Sequence, residues 1–175
     1  MAAMSHESFD DAFHALFAER SAALYRYVNR VSGDPPLSED IVQECFVKLH
    51  RRGAMPDDPP AWLMTVASNL LRDAQRRVAR RRRLTQTWSA DLPLGGDAPR
   101  ADAPALAAEQ VERVRKALDQ LPLRDRQLLL MRHEGYRYRE IADVLGLTPA
   151  SIGTMLVRAG EAFRRAYHGL FDASR

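Results

Sequence analysis

The sequence predicts an all-α protein of two small helical domains joined by a flexible linker. Apolar residues recur at steps of three and four through both halves of the chain, and nowhere do they alternate with the period of two typical of strands. Between the halves this periodicity disappears, and proline, glycine and aspartate accumulate. We therefore expect one domain over residues 1–84, a linker over 85–105 and a second domain over 106–175.

Two helices are predicted at the start of the first domain. The first ends at the run Gly33–Pro36, whose turn chemistry a helix does not cross, and its spacing leaves a break within it open. Ser38 is expected to cap the second helix, because a serine hydroxyl accepts from the first unpaired amides. The apolar faces hold Phe9, Phe13, Leu16, Phe17, Leu24, Tyr27 and Val31 in the first helix, and Ile41, Val42, Cys45, Phe46 and Leu49 in the second.

A third, long helix is predicted from about Ala61 to Arg83. One side is apolar, with Leu63, Val66, Ala67, Leu70, Ala74 and Val78. The other side carries Trp62, Thr65, Asn69, Arg72, Asp73, Arg76 and Arg80. Together with Arg77 and Arg81–Arg83, this side is basic enough to neutralise several phosphates, although a charge run is as often a solvated helix surface.

The composition, 46% hydrophobic and 28% charged, is that of a soluble globular protein. The longest aliphatic run, Leu128–Met131, is far shorter than the ~20 residues of a membrane helix, so we expect a cytoplasmic protein without membrane insertion. The single cysteine excludes an internal disulfide, and the five histidines have no metal-ligand spacing. Since no nucleophile–base pairing or phosphate-binding loop can be located, we expect neither an enzyme, nor a cofactor, nor a small-molecule substrate.

The second domain resumes the helical pattern and contains a predicted helix-turn-helix. The first helical pattern includes Leu106, Val111, Val114 and Leu118 and breaks at Leu121–Pro122. The next includes Leu128, Leu129 and Met131 and breaks at Gly135. Counted from Tyr138, apolar residues occupy positions 4, 8, 10, 15 and 18, which are Ile141, Leu145, Leu147, Ile152 and Met155.

An ordinary helical hairpin would explain these apolar positions equally well. Four small or turn-forming residues favour the helix-turn-helix instead. Ala142 allows two helices to cross closely, and Gly146 is expected in the left-handed conformation that ends the first helix. Thr148 is expected to cap the next helix, with Pro149 in its first turn, where a missing amide costs nothing. We therefore favour a helix-turn-helix that places its second helix, about Pro149 to Tyr167, in the major groove of DNA.

Around this second helix, arginines are expected to contact phosphates, and they are Arg137, Arg139, Arg158, Arg164 and Arg165. The start of the helix faces the groove with Pro149, Ala150, Gly153 and Thr154, and Thr148 and Ser151 are further candidate contacts with the same DNA. None of these makes the bidentate arginine-to-guanine contact. We therefore expect weak base readout, with reliance on DNA shape and on thymine methyl groups.

Four collinear motifs resemble small sigma factors of the extracytoplasmic-function (ECF) type in the sigma-70 family. The run Asp40–Phe46 resembles the D-x-x-Q-E-x-F of region 2.2. Ala61–Leu63, continuing through Asn69 and Asp73 to Arg76 and Arg77, is similar to regions 2.3 and 2.4. Leu121–Pro122 with Arg124, Arg126 and Leu130 resembles region 4.1, and Tyr138–Arg158 resembles region 4.2.

The resemblance implies a bacterial sigma factor that binds core RNA polymerase and directs promoter recognition and opening. Implied contacts with the clamp helices of the largest polymerase subunit are Asp40, Gln43, Glu44, Phe46 and Val47. Implied contacts with the minus-ten element, as separated strands, are Trp62, Asn69, Arg72, Asp73, Arg76, Arg77 and Arg80. The second domain would bind the flap of the second-largest subunit and the minus-thirty-five element, and an anti-sigma protein is a further implied partner.

Some roles stay open at this point. Trp62 either stacks on a base or packs in the core, and Asp73 is placed to orient Asn69 and Arg77 rather than to touch DNA. Many relatives carry Lys and Arg where this chain has Gly153 and Met155, so the family's contacts do not transfer there. The alternative functions are a stand-alone helix-turn-helix regulator, binding duplex DNA as a dimer, and a helical adaptor.

Overall fold

The computed structural model describes residues 6–85 and 105–172, and within these ranges the chain forms seven helices and no strand. The helices are α1 (His6–Ser32), α2 (Pro35–Arg52), α3 (Pro59–Thr85), α4 (Ala105–Asp119), α5 (Leu123–His133), α6 (Tyr138–Leu145) and α7 (Pro149–Asp172). The all-α prediction is confirmed. Of the predicted linker, residues 86–104 lie outside the described residues, while Thr85 and Ala105 are the last and first residues of helices.

The chain divides into two compact units, Met1–Leu94 and Gly95–Arg175. In the first, α1, α2 and α3 all pack against one another; in the second, α7 packs against α4, α5 and α6. No single helix in the described residues is long and apolar enough to cross a membrane, and one pair, α6 with α7, reaches the length and apolarity only when taken together across a 92° bend.

The turn between α1 and α2 corrects two expectations. The first helix is continuous over its 27 residues, so the break left open does not occur. The N-cap of α2 is Asp34, whose Oδ1 accepts from the Leu37 amide at 3.0 Å. Ser38 is instead fully buried one turn inside the helix, where its hydroxyl donates to the Asp34 carbonyl at 2.6 Å and lies 2.9 Å from the Ser32 hydroxyl. Proline at the first helical positions explains the shift, because it favours a cap directly before it.

The core of the first unit is built from all three helices. Its buried apolar residues are Phe9, Leu16, Leu24, Tyr27, Val28, Val31, Ile41, Val42, Cys45, Phe46, Leu49, Leu63, Met64, Ala67 and Leu71. Every apolar residue predicted for α2 is among them. In α3 the buried face is wider than predicted, because the helix packs on both α1 and α2: Met64 and Leu71 are buried, whereas Val66 and Leu70 are half-buried.

Cys45 gives a direct test of this core. Burial raises the pKa of its thiol to about 12, with a smaller contribution from Glu44. We expect a thiol reagent such as DTNB to react ~100-fold more slowly with the native protein at pH 8 than with the protein in denaturant, because the buried thiol is neither ionised nor accessible. Since this is the one cysteine of the chain, the colour change reports it alone. Reaction at the denatured rate would mean that α2 does not bury Cys45.

The sign of the pH effect follows from the direction of this shift. The thiol's pKa is higher in the folded chain than its ordinary value of 9.0. The stability associated with the neutral thiol is therefore fully present below about pH 9 and is lost as the pH rises toward 12.

The second unit buries side chains from all four of its helices. Those buried are Ala117, Leu121, Leu123, Gln127, Leu128, Leu130, Met131, Ile141, Ala142, Val144, Leu145, Ile152 and Ala159. Along α4 the predicted apolar pattern is only partly buried: Val111 is 67% and Val114 39% exposed, because α4 meets α7 on the side that carries Ala117. The turn from α4 to α5 is spanned by Asp119 and Arg126, 3.2 Å apart, and burial raises the pKa of the carboxyl group against the opposing effect of the arginine.

Candidate nucleic-acid interface

Helices α6 and α7 form the predicted helix-turn-helix. Their axes meet at 92°, within the range usual for this motif. Gly146 adopts the left-handed conformation (φ 67°, ψ 43°), as predicted, and the Leu147 amide donates to the Ala142 carbonyl at 2.8 Å. The turn therefore closes through the main chain, and glycine at this position avoids the cost of a positive φ.

The motif is held by the residues that the sequence pattern placed inside it. Ile141, Ala142 and Ile152 are fully buried, and Leu145 is nearly so. A zero exposure at Ala142 agrees with the close helix crossing expected there. The start of α6 is fixed by Glu140, whose Oε2 accepts from the Arg137 amide at 2.6 Å. The Arg137 side chain, directly before α6, is exposed.

The predicted DNA-facing residues of α7 lie on its exposed side. Thr148, Pro149, Ala150, Thr154 and Arg158 are exposed, as is Arg139 on α6, while Ser151 and Gly153 are half-buried. The Ser151 hydroxyl donates to the Thr148 carbonyl at 2.8 Å, so this side chain serves the first turn of the helix. The exposed side therefore combines small side chains in the middle with arginines around them.

Two residues of this surface were missed by the sequence reasoning. Val157 is 61% exposed on α7, and Tyr138 is 46% exposed at the start of α6. The Tyr138 ring lies against α7, since a Cβ added to Gly153 would stand 3.6 Å from its Cε2 atom, and the Arg132 guanidinium carbon is 5.7 Å from the ring centroid. The spacing of Val157 from Ala150 and Thr154, seven and three residues, was a signal that could have identified it.

The long helix α3 presents the second candidate surface. Asn69, Asp73, Arg76, Arg77 and Arg80 are exposed along one side, as predicted. Arg72 is half-buried on the same side, and so is Trp62, which is neither a core residue nor a freely exposed ring.

The hydrogen bonds on α3 differ from those expected for Asp73. The Asn69 Oδ1 atom accepts from the Arg72 guanidinium. The Asp73 carboxylate pairs with Arg76 at 3.5 Å, whereas Arg77 donates to the Asp73 main-chain carbonyl at 3.4 Å. On this helix the side chains pair with each other at steps of three, whereas the bonds at steps of four run from Arg72 and Arg77 to main-chain carbonyls.

A third surface lies on α2 and corrects the expectation for Phe46. Asp40 and Gln43 are exposed, and Glu44 pairs with Lys48 at 3.2 Å. Phe46 is only 4% exposed, so it supports the interface of α1 with α2 rather than offering a contact surface. The exposed aromatic residue is Phe17 of α1, at 47%, whose ring centroid is 4.8 Å from that of Phe46. Val47 of α2 is half-buried.

These surfaces carry no arrangement for metal chemistry. Among the described residues, no group of three or more histidine, cysteine, aspartate or glutamate side chains is placed to hold a metal ion.

Two family models match the chain in the order of its two units. Sigma-70 region 2 matches residues 16–82, which include the α2 and α3 surfaces, and Sigma-70, region 4 matches residues 111–161, which include the helix-turn-helix. The chain belongs to the sigma-70 family. The helices α1–α3 are thus its region 2 and α4–α7 its region 4.

Relatives with this family's names align over most of the chain. It is 35% identical over 149 residues to the probable RNA polymerase sigma factor RfaY of Xanthomonas campestris pv. campestris, covering 81% of this chain and 37% of that protein. It is 31% identical over 154 residues to the ECF RNA polymerase sigma factor SigJ of Mycobacterium tuberculosis, covering 86% of this chain and 48% of that protein. The chain therefore spans less than half the length of these two relatives.

A solved structure shares the fold. The sigma factor RpoE of Bartonella quintana, crystallised with the anti-sigma factor NepR, superposes with a TM-score of 0.71 at 19% sequence identity, covering 89% of this chain and 96% of that one. At this identity the likeness concerns the fold alone.

Proposed function

We propose that the chain is an ECF-type sigma factor that binds core RNA polymerase and directs promoter recognition, promoter opening and transcription initiation, without chemistry of its own. The observation that carries this is the presence, in order, of region 2 and region 4, each with an exposed arginine-rich helix surface. A protein of this kind acts in the cytoplasm, on the nucleoid, and needs no cofactor or small-molecule substrate.

In this proposal the two domains, residues 1–84 and 106–175, bind different promoter elements, and residues 85–105 are the linker that connects them. The α3 surface takes the minus-ten element as separated strands. Arg72, Arg76, Arg77 and Arg80 hold the backbone, and Asn69 meets a base edge, because its carboxamide both donates and accepts. Trp62, half-buried beside them, offers part of its ring for stacking.

The helix-turn-helix takes the minus-thirty-five element as duplex. Its arginines, Arg137, Arg139 and Arg158, are exposed and would position the unit on phosphates. The groove would receive the start of α7, from Thr148 to Thr154.

Polymerase binding is assigned to the α2 surface. Asp40, Gln43 and Glu44 form an acidic and amide row, with Val47 and the exposed Phe17 as its apolar border, and such a row suits the clamp helices of the largest subunit. We assign the second unit to the flap of the second-largest subunit. An anti-sigma protein is a further partner, supported by its presence with the sigma factor RpoE.

Transcription in vitro tests the proposal. The purified chain is added to core RNA polymerase on a library of genomic fragments, and the 5′ ends of the transcripts are mapped. Initiation at defined sites that share two spaced elements is expected. A chain that binds duplex DNA with nanomolar affinity, ignores polymerase and supports no initiation is instead a stand-alone helix-turn-helix regulator.

Asn69 separates promoter opening from polymerase binding. Asn69→Ala is expected to reduce open-complex formation about tenfold or more, since one base contact contributes about 1–3 kcal/mol, and to leave the affinity for core polymerase unchanged. Permanganate reactivity of unpaired thymines measures opening. Gln75→Ala is the control, because Gln75 is an exposed amide of the same helix whose side chain points about 120° away from that of Asn69 around the helix axis. Equal loss of opening and of polymerase binding would make Asn69 a structural residue.

A further inference from the structure

The exposed side of α7 is apolar where it would enter DNA. Ala150, Thr154 and Val157 follow one another at steps of four and three and are all exposed, with Val157 at 61%. Glu161 stands one turn further on, and a carboxylate there is repelled by phosphate, so the line ends at Val157. A short row of methyl groups therefore occupies the middle of a surface whose margins carry arginines.

The Tyr138 ring widens this row. It lies beside Gly153, with its Cε2 atom 3.6 Å from where a Cβ at that position would be, and the Arg132 guanidinium carbon is 5.7 Å from the ring centroid. The Arg132 Nη1 atom also donates to the Tyr136 carbonyl at 3.2 Å. At Gly153 the helix thus presents the edge of an aromatic ring that comes from α6.

The chemistry of the row restricts what it can recognise. Alanine and valine make no hydrogen bonds to base edges, and the hydroxyl groups of Thr154 and Tyr138 can both donate and accept, so they do not select one base. In the major groove the apolar group that distinguishes one base from the others is the C5 methyl of thymine. The surrounding exposed arginines, Arg137, Arg139, Arg158, Arg164 and Arg165, complement a phosphate backbone rather than an apolar protein partner.

We propose that Val157 and the Tyr138 ring read thymine C5 methyl groups in the upstream duplex element, and that these contacts set its base preference. This rests on the proposed function and adds the chemical group that region 4 of this chain recognises. Burial of one methyl group against an apolar side chain corresponds to about a fourfold change in affinity.

Uracil, which is thymine without the methyl group, gives the test. Polymerase holoenzyme containing the full chain is bound to the strongest mapped promoter, made with thymine throughout or with uracil only in the upstream duplex element. We expect the uracil template to bind about fourfold more weakly for each methyl contacted, and about fifteenfold more weakly with two. In a parallel measurement without polymerase, the affinity of the full chain is compared for randomised duplexes made with thymine and with uracil.

Substitutions assign the effect to the two side chains. Val157→Ala is expected to weaken binding to the thymine template and to remove most of the difference between thymine and uracil. Tyr138→Phe keeps the ring and should keep that difference, whereas Tyr138→Ala should reduce it. Val111→Ala is the control, because Val111 is a similarly exposed valine of the same unit on α4.

The outcomes separate this inference from the proposed function. Equal affinity for the two templates, or a Val157→Ala variant that loses the same factor on both, overturns methyl recognition even when the chain directs initiation. If no initiation occurs at any site, the sigma-factor proposal fails, and the randomised duplexes still decide whether α7 distinguishes thymine from uracil.

Discussion

Replacing both Arg76 and Arg77 by alanine will weaken promoter binding by the holoenzyme roughly tenfold at about 0.15 M salt and make that binding less dependent on salt. Each contact with a single-strand phosphate contributes about 0.7 to the slope of log affinity against log salt, so the slope should fall by about 1.4. Both arginines are exposed, and their present partners on Asp73, at 3.5 and 3.4 Å, are weak surface contacts that DNA can replace. Titration of fluorescent promoter DNA at several salt concentrations measures the slope.

A matched pair of arginines controls for net charge. Arg51 and Arg52 are adjacent and exposed at the end of α2 in the same unit, so Arg51→Ala with Arg52→Ala removes the same charge away from the α3 surface. This control should shift binding only slightly, through the long-range field of the protein. If the Arg76 and Arg77 variant keeps the wild-type slope, or if the control loses as much, the α3 surface does not hold the DNA backbone.

The Ile152→Ala variant will lose about 2–5 kcal/mol of stability in the second unit, and with it duplex recognition, because Ile152 is fully buried. Its removal opens a cavity beneath the turn that orients α7. Hydrogen exchange followed by mass spectrometry should show faster exchange in α5, α6 and α7 and unchanged protection in α1–α3, since each unit has its own core.

Val111→Ala serves as the control for this prediction too. Val111 is also β-branched and apolar but is 67% exposed, so its truncation should change stability by about 0.5 kcal/mol or less. Wild-type exchange in the Ile152→Ala variant would mean that α6 and α7 are not packed through this residue.

The parts of the fold that could be predicted from the sequence are those set by local chemistry. Gly146, with its positive φ, and the buried Ala142 belong to a turn whose requirements are met within a few residues. The predicted N-cap of α2 was wrong for a similarly local reason. Asp34 and Ser38 are both good capping residues, and the prolines between them decide which of the two caps the helix. The exposure of Val111 could not be predicted, since it depends on which side of α4 meets α7.

The candidate surfaces divide in the same way. The exposed arginines of α3 follow from helical periodicity alone. The position of the Tyr138 ring against Gly153 depends on the crossing of two helices, and the burial of Phe46 depends on Phe13 and Phe17 from another helix. Side chains brought together by packing between helices leave little trace in the spacing along one of them.

If Asn69 contacts a promoter base as proposed, its bond with Arg72 restricts which bases fit there. Because the carboxamide oxygen already accepts from the guanidinium, the amide group is turned so that its NH₂ end points away from that partner. A nucleotide arriving at Asn69 would therefore meet a donor, and bases that offer a carbonyl oxygen or an unprotonated ring nitrogen at that point would be favoured over bases that offer an amino group.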